Sequence, residues 1–324
     1  MATITVVIPN YKGIKFIDGC LSSLYDQVEG TPDFEVLVVD NASGDGSVEL
    51  IREKFPQTRL ICLEENTGFC HAVNVGIQNS VSPFVLLLNN DVKVFPDFVK
   101  NLYLAMGRDG RREKVFSVSA AMLTWDDPKI MDDAGDVYTV FGWALGRGKG
   151  KPYAQYGRRQ KVFSACGGAA LYRRSVLDKI GLFDENHFAY LEDLDLGYRA
   201  KIHGYENLYE PGARVIHYGS ASSGSKYNAW KTRRAAANSV YVLYKNVPPY
   251  FKILNAPFWL AGFFIKFLFF VKKGMGGLYV KGLMDGVKLC ASPEGKRHKV
   301  PGSVRSFRRE LRIEAELFLN LLHR

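Results

Sequence analysis

The chain has 324 residues, 47% hydrophobic and 23% charged, which excludes a disordered or fibrous protein and allows one large core with an appendage. Its net charge of +10 sits in one place: residues 245–324 carry 15 Lys and Arg against 5 Asp and Glu, whereas residues 1–244 carry 28 of each sign. A neutral body with a basic tail argues against nucleic acid as the partner and for an anionic membrane surface.

Met1–Pro9 runs straight into a buried-strand pattern with no basic start or small-residue cleavage site, so no signal peptide is expected. Short apolar runs follow at Thr3–Pro9, Phe34–Asp40, Arg59–Leu63 and Phe84–Leu88, rich in Val, Ile and Leu, as strands covered on both faces require. Segments of helical length separate them at Ile14–Gln27, Gly46–Phe55 and Phe69–Asn79. This alternation predicts a doubly wound α/β unit. The five cysteines (Cys20, Cys62, Cys70, Cys166, Cys290) show no CxxC spacing, which disfavours a disulfide framework or zinc knuckle and suits a reducing cytoplasm.

Ligands in such sheets bind beyond the carboxyl ends of the strands. Asn10 and Tyr11 follow the first strand, Asp40 and Asn41 the second, Asn66 and Gly68 the third, and Asn89, Asn90 and Asp91 the fourth. Each alone suits an ordinary turn, but four such groups along one edge predict a site. Beyond Val115 the pattern is mixed. A Gly-, Arg- and Lys-rich stretch at Gly142–Lys161 reads as a long loop, Gly168–Arg173 as a strand, Ser175–Ile180 and Asp193–His203 as helices, and Ala213–His217 as a short strand.

Within residues 250–271 lies an apolar stretch of about 15 residues, interrupted by Lys266 and flanked by Lys252, Lys272 and Lys273. That is shorter than the roughly 20 residues a spanning helix needs and suits a helix lying in the membrane interface. In Ser303–His323, Val304, Phe307, Leu311, Phe318 and Leu322 share one helical face. Packing of both helices on the body is the alternative.

Seven ordered pieces carry a family resemblance: VVIPNY at 6–11, VVDNASGDGS at 38–47, ENTGFCHAVNVGI at 65–77, LLLNNDV at 86–92, CGGAALYRRSVLDKIGLFDE at 166–185, YLEDLDLGYRAKIHGY at 190–205 and PGARVIH at 211–217. Over about residues 3–245 the chain resembles glycosyltransferase family 2, the inverting enzymes of the GT-A fold, and more narrowly the rhamnosyltransferase-like branch of bacterial surface polysaccharide synthesis. The resemblance implies a GT-A catalytic domain at 1–245, with a mostly parallel, Rossmann-like sheet flanked by helices, and a metal-dependent transfer from a UDP- or dTDP-sugar to a glycan acceptor, lipid-linked in this branch. The charge count and the apolar stretches, not the resemblance, add a basic helical extension at 246–324 and a location in the cytoplasm, peripheral on the inner face of the cell membrane.

Carried over residue by residue, Pro9, Asn10 and Tyr11 would line the base pocket and Asp40 would accept from the imide N–H of uracil or thymine. Asp40 equally suits a helix cap. Asn66, Gly68, Asn74, Asn89 and Asn90 would complete the nucleotide-sugar site, with Gly167 and Gly168 admitting backbone close to the sugar or acceptor. Asn89–Asp91 stands at the family's DxD position, where Asp91 with His217 would hold Mn²⁺ or Mg²⁺. Asn89 departs from the pattern, since a neutral amide is a weaker ligand. Asp193 would be the base that deprotonates the acceptor hydroxyl, with Glu192 contacting the acceptor or groups behind it. Acids at a helix start also complement its dipole, and Asp195 with Arg199 reads as an ordinary helix pair. A catalytically degenerate, membrane-bound glycan- or nucleotide-sugar-binding protein is the alternative. A sugar-phosphate nucleotidyltransferase is disfavoured, because IPNYKG stands where a Gly-rich phosphate loop would be.

Overall fold

The structure is a computed structural model and describes residues 2–107, 113–219 and 228–322. The first half alternates strands and helices as expected: β1 (Ile4–Asn10), α1 (Ile17–Tyr25), β2 (Phe34–Asp40), α2 (Ser47–Lys54), β3 (Arg59–Cys62), α3 (Phe69–Gln78), β4 (Phe84–Leu88), β5 (Val92–Val94) and α4 (Phe98–Met106). Then come β6 (Val115–Thr124), β7 (Met131–Asp133), β8 (Asp136–Tyr138), β9 (Ala144–Gly146), β10 (Gln160–Val162), β11 (Ala169–Arg173), α5 (Arg174–Ile180), α6 (Glu192–His203) and β12 (Glu206–His217). Five helices close the chain: α7 (Ala229–Asn246), α8 (Pro249–Lys272), α9 (Gly276–Ala291), α10 (Pro293–Arg297) and α11 (Phe307–Leu319).

The main sheet runs β10-β12-β6-β11-β4-β1-β2-β3. Strands β3, β2, β1 and β4 are parallel, β11 is antiparallel to both β4 and β6, and β6 pairs in parallel with β12. The sheet is thus mixed, with its parallel half where the apolar runs placed it. Alternation along β1 and β4 sends Val6, Ile8, Leu86 and Leu88 to one face, against α1 and α4. Val7 and Leu87 go to the other face, against α3, α5 and α6. On that second face Gly76 is required, because a Cβ there would stand 2.2 Å from Val7.

Two elements differ from the expectation for local reasons. β12 spans twelve residues rather than five, because its register shifts between Glu210 and Arg214, around Pro211–Gly212, and so breaks the period-2 pattern. The stretch Gly142–Lys161 is a folded excursion: β9 pairs back on β8, and glycines with positive φ at 142, 148 and 150 make its turns.

The C-terminal helices share a core with the body. Tyr138, Phe163, Tyr198 and Ile202 pack with Val242, Val300, Ile313 and Leu317 in one cluster. The expected boundary between residues 245 and 246 falls in the last turn of α7, where Lys245 and Asn246 are both buried and both bonded to Asp195 of α6. α8 is a continuous helix of 24 residues that runs through Pro257 and Lys266, longer than the apolar stretch alone suggested. On α11 the residues turned to the body are Glu310, Ile313, Glu314 and Leu317, while Phe307, Leu311, Phe318 and Leu322 lie on the exposed side. Residue 323, included in the expected terminal helix, lies outside the described residues.

Candidate active site

The carboxyl ends of β1 and β4 open onto a cavity of about 900 Å³. Its wall includes Pro9, Asn10 and Tyr11 after β1, Asn66 and Gly68 before α3, Asn89, Asn90 and Asp91 after β4, Gly167 and Gly168 before β11, Glu192 and Asp193 at the start of α6, and His217 at the end of β12. Residues far apart in sequence meet here because they lie at strand ends, at helix starts or in the loops between them on one edge of the sheet.

Two expected site residues are turned away from this space. Asp40 is 3% exposed and is not on the wall: its Oδ1 accepts from Asn10 Nδ2 at 2.7 Å and Ser43 Oγ at 2.6 Å, and its Oδ2 accepts from the Ser43 N–H at 3.0 Å. Three of its acceptor sites are thus filled from within the fold, and Asp40 fixes Asn10 from behind the wall. Asn74, facing into α3's packing, donates to Phe183 O and Glu185 Oε1, each at 2.8 Å, and accepts from the Phe183 N–H. Asn74 therefore ties α3 to the turn before α6 and is not a cavity ligand.

The part of the wall that follows β1 and β4 is held by an amide chain. Asn10 Nδ2 serves Asp40, Ser43 and Ser47, and its Oδ1 accepts from Asn90 Nδ2 at 2.8 Å. Gly13 passes this pair so closely that a Cβ there would sit 2.1 Å from Asn10 Oδ1. Asn41 donates to Asn66 Oδ1 and Gly68 O, setting the loop before α3. Gly68, at φ 89°, lets the Phe188 ring pass where a Cβ would stand 2.7 Å away.

Asp91 Oδ1 and His217 Nε2 are 3.4 Å apart on this wall, and His217 Nδ1 donates to Asp132 Oδ2 at 2.7 Å. Lys149 caps the other oxygen of Asp132. Burial disfavours the imidazolium of His217, but its hydrogen bonds to Asp132 and Asp91 outweigh that and hold it up at about 9. Burial likewise opposes ionisation of Asp132, but His217 and Lys149 hold its carboxyl at about 2. Asp133, buried beside Asp132, is pushed up to about 7. Asp132, Asp133 and Lys149 all reach the cavity, and the sequence pointed to none of them.

Asp193, also on the cavity wall, accepts the Gly167 N–H on Oδ2 at 3.0 Å and the Leu194 N–H on Oδ1 at 2.7 Å. Glu192 Oε2 is buried and finds no hydrogen-bond partner among the described residues. Burial and the Asp193 charge push Glu192 up to about 8, and burial raises Asp193 as well, against the pull of its two N–H donors. The two N–H donors favour the charged form of Asp193, whereas Glu192, with no donor to its Oε2, is pushed toward its protonated form. Asp195 and Arg199 do pair, at 2.9 Å, but inside a larger buried cluster with Lys245 and Asp184.

The donor chemistry fits a divalent cation at Asp91 and His217, a hard oxygen and a borderline nitrogen converging on one space. Among the described residues no group of three or more His, Cys, Asp and Glu is arranged to hold an ion. Two protein donors would leave the other coordination positions to diphosphate oxygens and water, as Mg²⁺ sites commonly do.

Residues 5–181 match the family model described as Glycosyl transferase family 2. The chain is 28% identical over 219 residues, 58% of its length and 68% of the relative's, to an N-acetylglucosaminyl-diphospho-decaprenol L-rhamnosyltransferase of Mycobacterium tuberculosis (strain ATCC 25618 / H37Rv). Two solved structures share the fold. One is GalNAc-T7 with UDP, GalNAc and Mn²⁺ (TM-score 0.60, 15% identity, 76% of this chain and 48% of that one, so this chain spans about half its length). The other is the mannosyltransferase PcManGT from Pyrobaculum calidifontis with GDP-Man and Mn²⁺ (TM-score 0.55, 17% identity, 99% and 86%).

Proposed function

The chain belongs to glycosyltransferase family 2, and from that premise we propose that it transfers a sugar, with inversion, from a UDP- or dTDP-linked donor to a hydroxyl of a lipid-linked glycan. The observation that carries this reading is the Glu192–Asp193 pair, whose anion is held on Asp193 by two backbone N–H groups at the cavity wall. Inversion needs the acceptor hydroxyl to lose its proton as it attacks the anomeric carbon from the side opposite the leaving group. A carboxylate on the cavity wall, with lone pairs left over from its two backbone donors, suits that role. Protonated Glu192 keeps a second negative charge away from the attacking oxygen and can donate a hydrogen bond to the acceptor.

On the nucleotide side, Pro9, Asn10 and Tyr11 would shape the base pocket, with Asn10 held rigid by Asp40 and Asn90. Asn66, Gly68, Asn89, Asn90, Gly167 and Gly168 would surround the ribose, diphosphate and sugar. A Cβ on Gly168 would press on Met122 Cε at 3.0 Å and Asn89 Nδ2 at 3.2 Å, so glycine here leaves those two side chains their places. Mn²⁺ or Mg²⁺, bound by Asp91 and His217, would supply positive charge to the leaving diphosphate. Ligation by His217 requires its Nε2 to be free of the proton that it shares toward Asp91. The two structural neighbours were solved with Mn²⁺, which supports a divalent ion.

A decaprenyl-diphosphate sugar acceptor in the relative's name, together with the basic tail, supports a lipid-linked acceptor and a site of action on the cytoplasmic face of the membrane. The same relative makes rhamnose the first donor sugar to try. The test is to incubate the full chain with a panel of UDP- and dTDP-sugars, Mn²⁺ or Mg²⁺, and a polyprenyl-diphosphate saccharide. Expected are release of nucleoside diphosphate and a product of inverted anomeric configuration. Tight donor binding without transfer to any acceptor would favour the degenerate binding protein instead.

A further inference from the structure

The segment that delivers Glu192 and Asp193 is strained. Phe188, Tyr190 and Leu191 have φ of 60°, 72° and 65°, three side chains in four residues in the left-handed region, and Leu191 is the cap of α6. Such a run persists only where its surroundings over-determine it. One helix does so. Asn238 of α7 is 1% exposed, and its Nδ2 donates to the carbonyl oxygens of His187 at 3.0 Å, Ala189 at 2.9 Å and Tyr190 at 2.7 Å. Three acceptors facing one amide fix its orientation.

The same face of α7 holds both ends of the segment. Tyr241 Oη donates to Asp184 Oδ2 at 2.9 Å, and Lys245 Nζ bridges Asp184 Oδ2 at 2.6 Å and Asp195 Oδ2 at 2.8 Å. Positions 238, 241 and 245 are spaced i, i+3, i+7, one stripe of a helix. Asp184 precedes the strained run and Asp195 lies in the first turn after it. The run is therefore tied at its start, middle and end by a single buried polar stripe.

We propose that this stripe of α7 is the positioning device of the Glu192–Asp193 pair, with Asn238 as its central residue. The proposal rests on reading that pair as the catalytic carboxylates. α7 is seated independently of Asn238, by close backbone packing on α9, where a Cβ on Gly282 would stand 2.3 Å from Arg233 O and one on Gly286 2.5 Å from Ala237 O. Losing the amide therefore leaves the helix in place and releases the run, which relaxes toward ordinary φ and turns the first residues of α6 off the cavity.

The experiment compares Asn238→Ala and Asn238→Ser in the full chain, reading kcat and KM for transfer, affinity for UDP with Mn²⁺, and melting temperature. Asn238→Ala should lower kcat by about 10–100-fold, the scale of an ångström-sized misplacement. UDP affinity should fall much less than kcat, because Asn10 and Asn90 are held by residues outside the run and only Gly68 meets it, through Phe188. Asn238→Ser, keeping one donor, should fall between. A folded Asn238→Ala protein with a lower melting temperature and unchanged kcat overturns the proposal, because the stripe is then only structural. Should Asn238→Ala not fold, Asn238→Ser decides by the same two readings. Asp193→Asn is measured alongside: undiminished turnover there overturns the catalytic reading of the pair, whatever Asn238 does.

Discussion

Gly167 donates its backbone N–H to Asp193 Oδ2 across 3.0 Å, so the approach to β11 and the first turn of α6 meet at one carboxylate. A Cβ on Gly167 would stand 3.5 Å from the Asp193 Cβ, ordinary contact distance, so this hydrogen bond, made by the main chain, does not itself require glycine. Asp193→Asn keeps the shape and an acceptor for Gly167 but removes the proton acceptor. Turnover should fall by roughly 10²–10⁴, with nucleotide affinity by calorimetry nearly unchanged. A variant that retains most transfer activity would remove Asp193 as the base and point to Glu192.

Glu192 gives a pH signature. Its carboxyl is raised from the ordinary 4.5 to about 8 by burial and by Asp193. Between those values the folded chain keeps a proton that the unfolded chain has released, so this group lowers stability as pH rises from about 4.5 to about 8. Glu192→Gln removes the term. Its melting temperature relative to the parent should climb across that window and level off above it. A difference that stays flat from pH 5 to pH 9 would show that Glu192 ionises normally.

Asp91 tests the metal. Without compensating charge the leaving diphosphate departs against a higher barrier, so Asp91→Ala and chelation should each abolish transfer, and added Mn²⁺ should restore only the chelated parent. Full activity in chelator would assign the leaving-group charge to Lys149 and His217, which share the same wall.

The sequence disclosed the sheet edge because three of the four apolar runs end in or run straight into Asn or Asp, and local punctuation survives in one dimension. It could not disclose which way a polar side chain turns. Asp40 and Asn74 stand in the right pieces yet spend their hydrogen bonds inward, on Asn10 with Ser43 and on Phe183 with Glu185. Asp132, Asp133 and Lys149 were illegible because β7 is three residues long and Lys149 reaches the cavity through glycine turns. Asn238, Tyr241 and Lys245 did carry a signal, three polar residues at helical spacing, but their partners lie about fifty residues away and only the fold brings them together.

The tail offers a test that leaves the core intact. Truncation after Asn246 would strip Val300, Ile313 and Leu317 from a cluster they share with Tyr198 and Ile202, and so confuse unfolding with loss of attachment. Substitution on the outer face separates the two. Leu260, Phe264 and Leu268 lie at i, i+4, i+8 on α8 and are 72%, 59% and 45% exposed. On the inner side α8 is fastened to the body: Trp143 Nε1 donates to Gly262 O at 3.1 Å, and Phe258 meets Phe141 and Phe318. A helix fixed along its flank in this way suits lying in the interface, although its 24 residues would be long enough to cross. Each apolar side chain buried in lipid contributes roughly 1.5–3 kcal/mol, and each nearby Lys or Arg at most about 1 kcal/mol. Leu260→Glu, Phe264→Glu and Leu268→Glu together should therefore cut binding to phosphatidylglycerol vesicles by well over tenfold, at an unchanged melting temperature. Transfer to a lipid-linked acceptor should drop far more than transfer to a short soluble one. Binding of the parent should weaken only in part at high salt, since the apolar component is unscreened. Vesicle binding by the triple variant equal to that of the parent would mean that this face is not what meets the membrane.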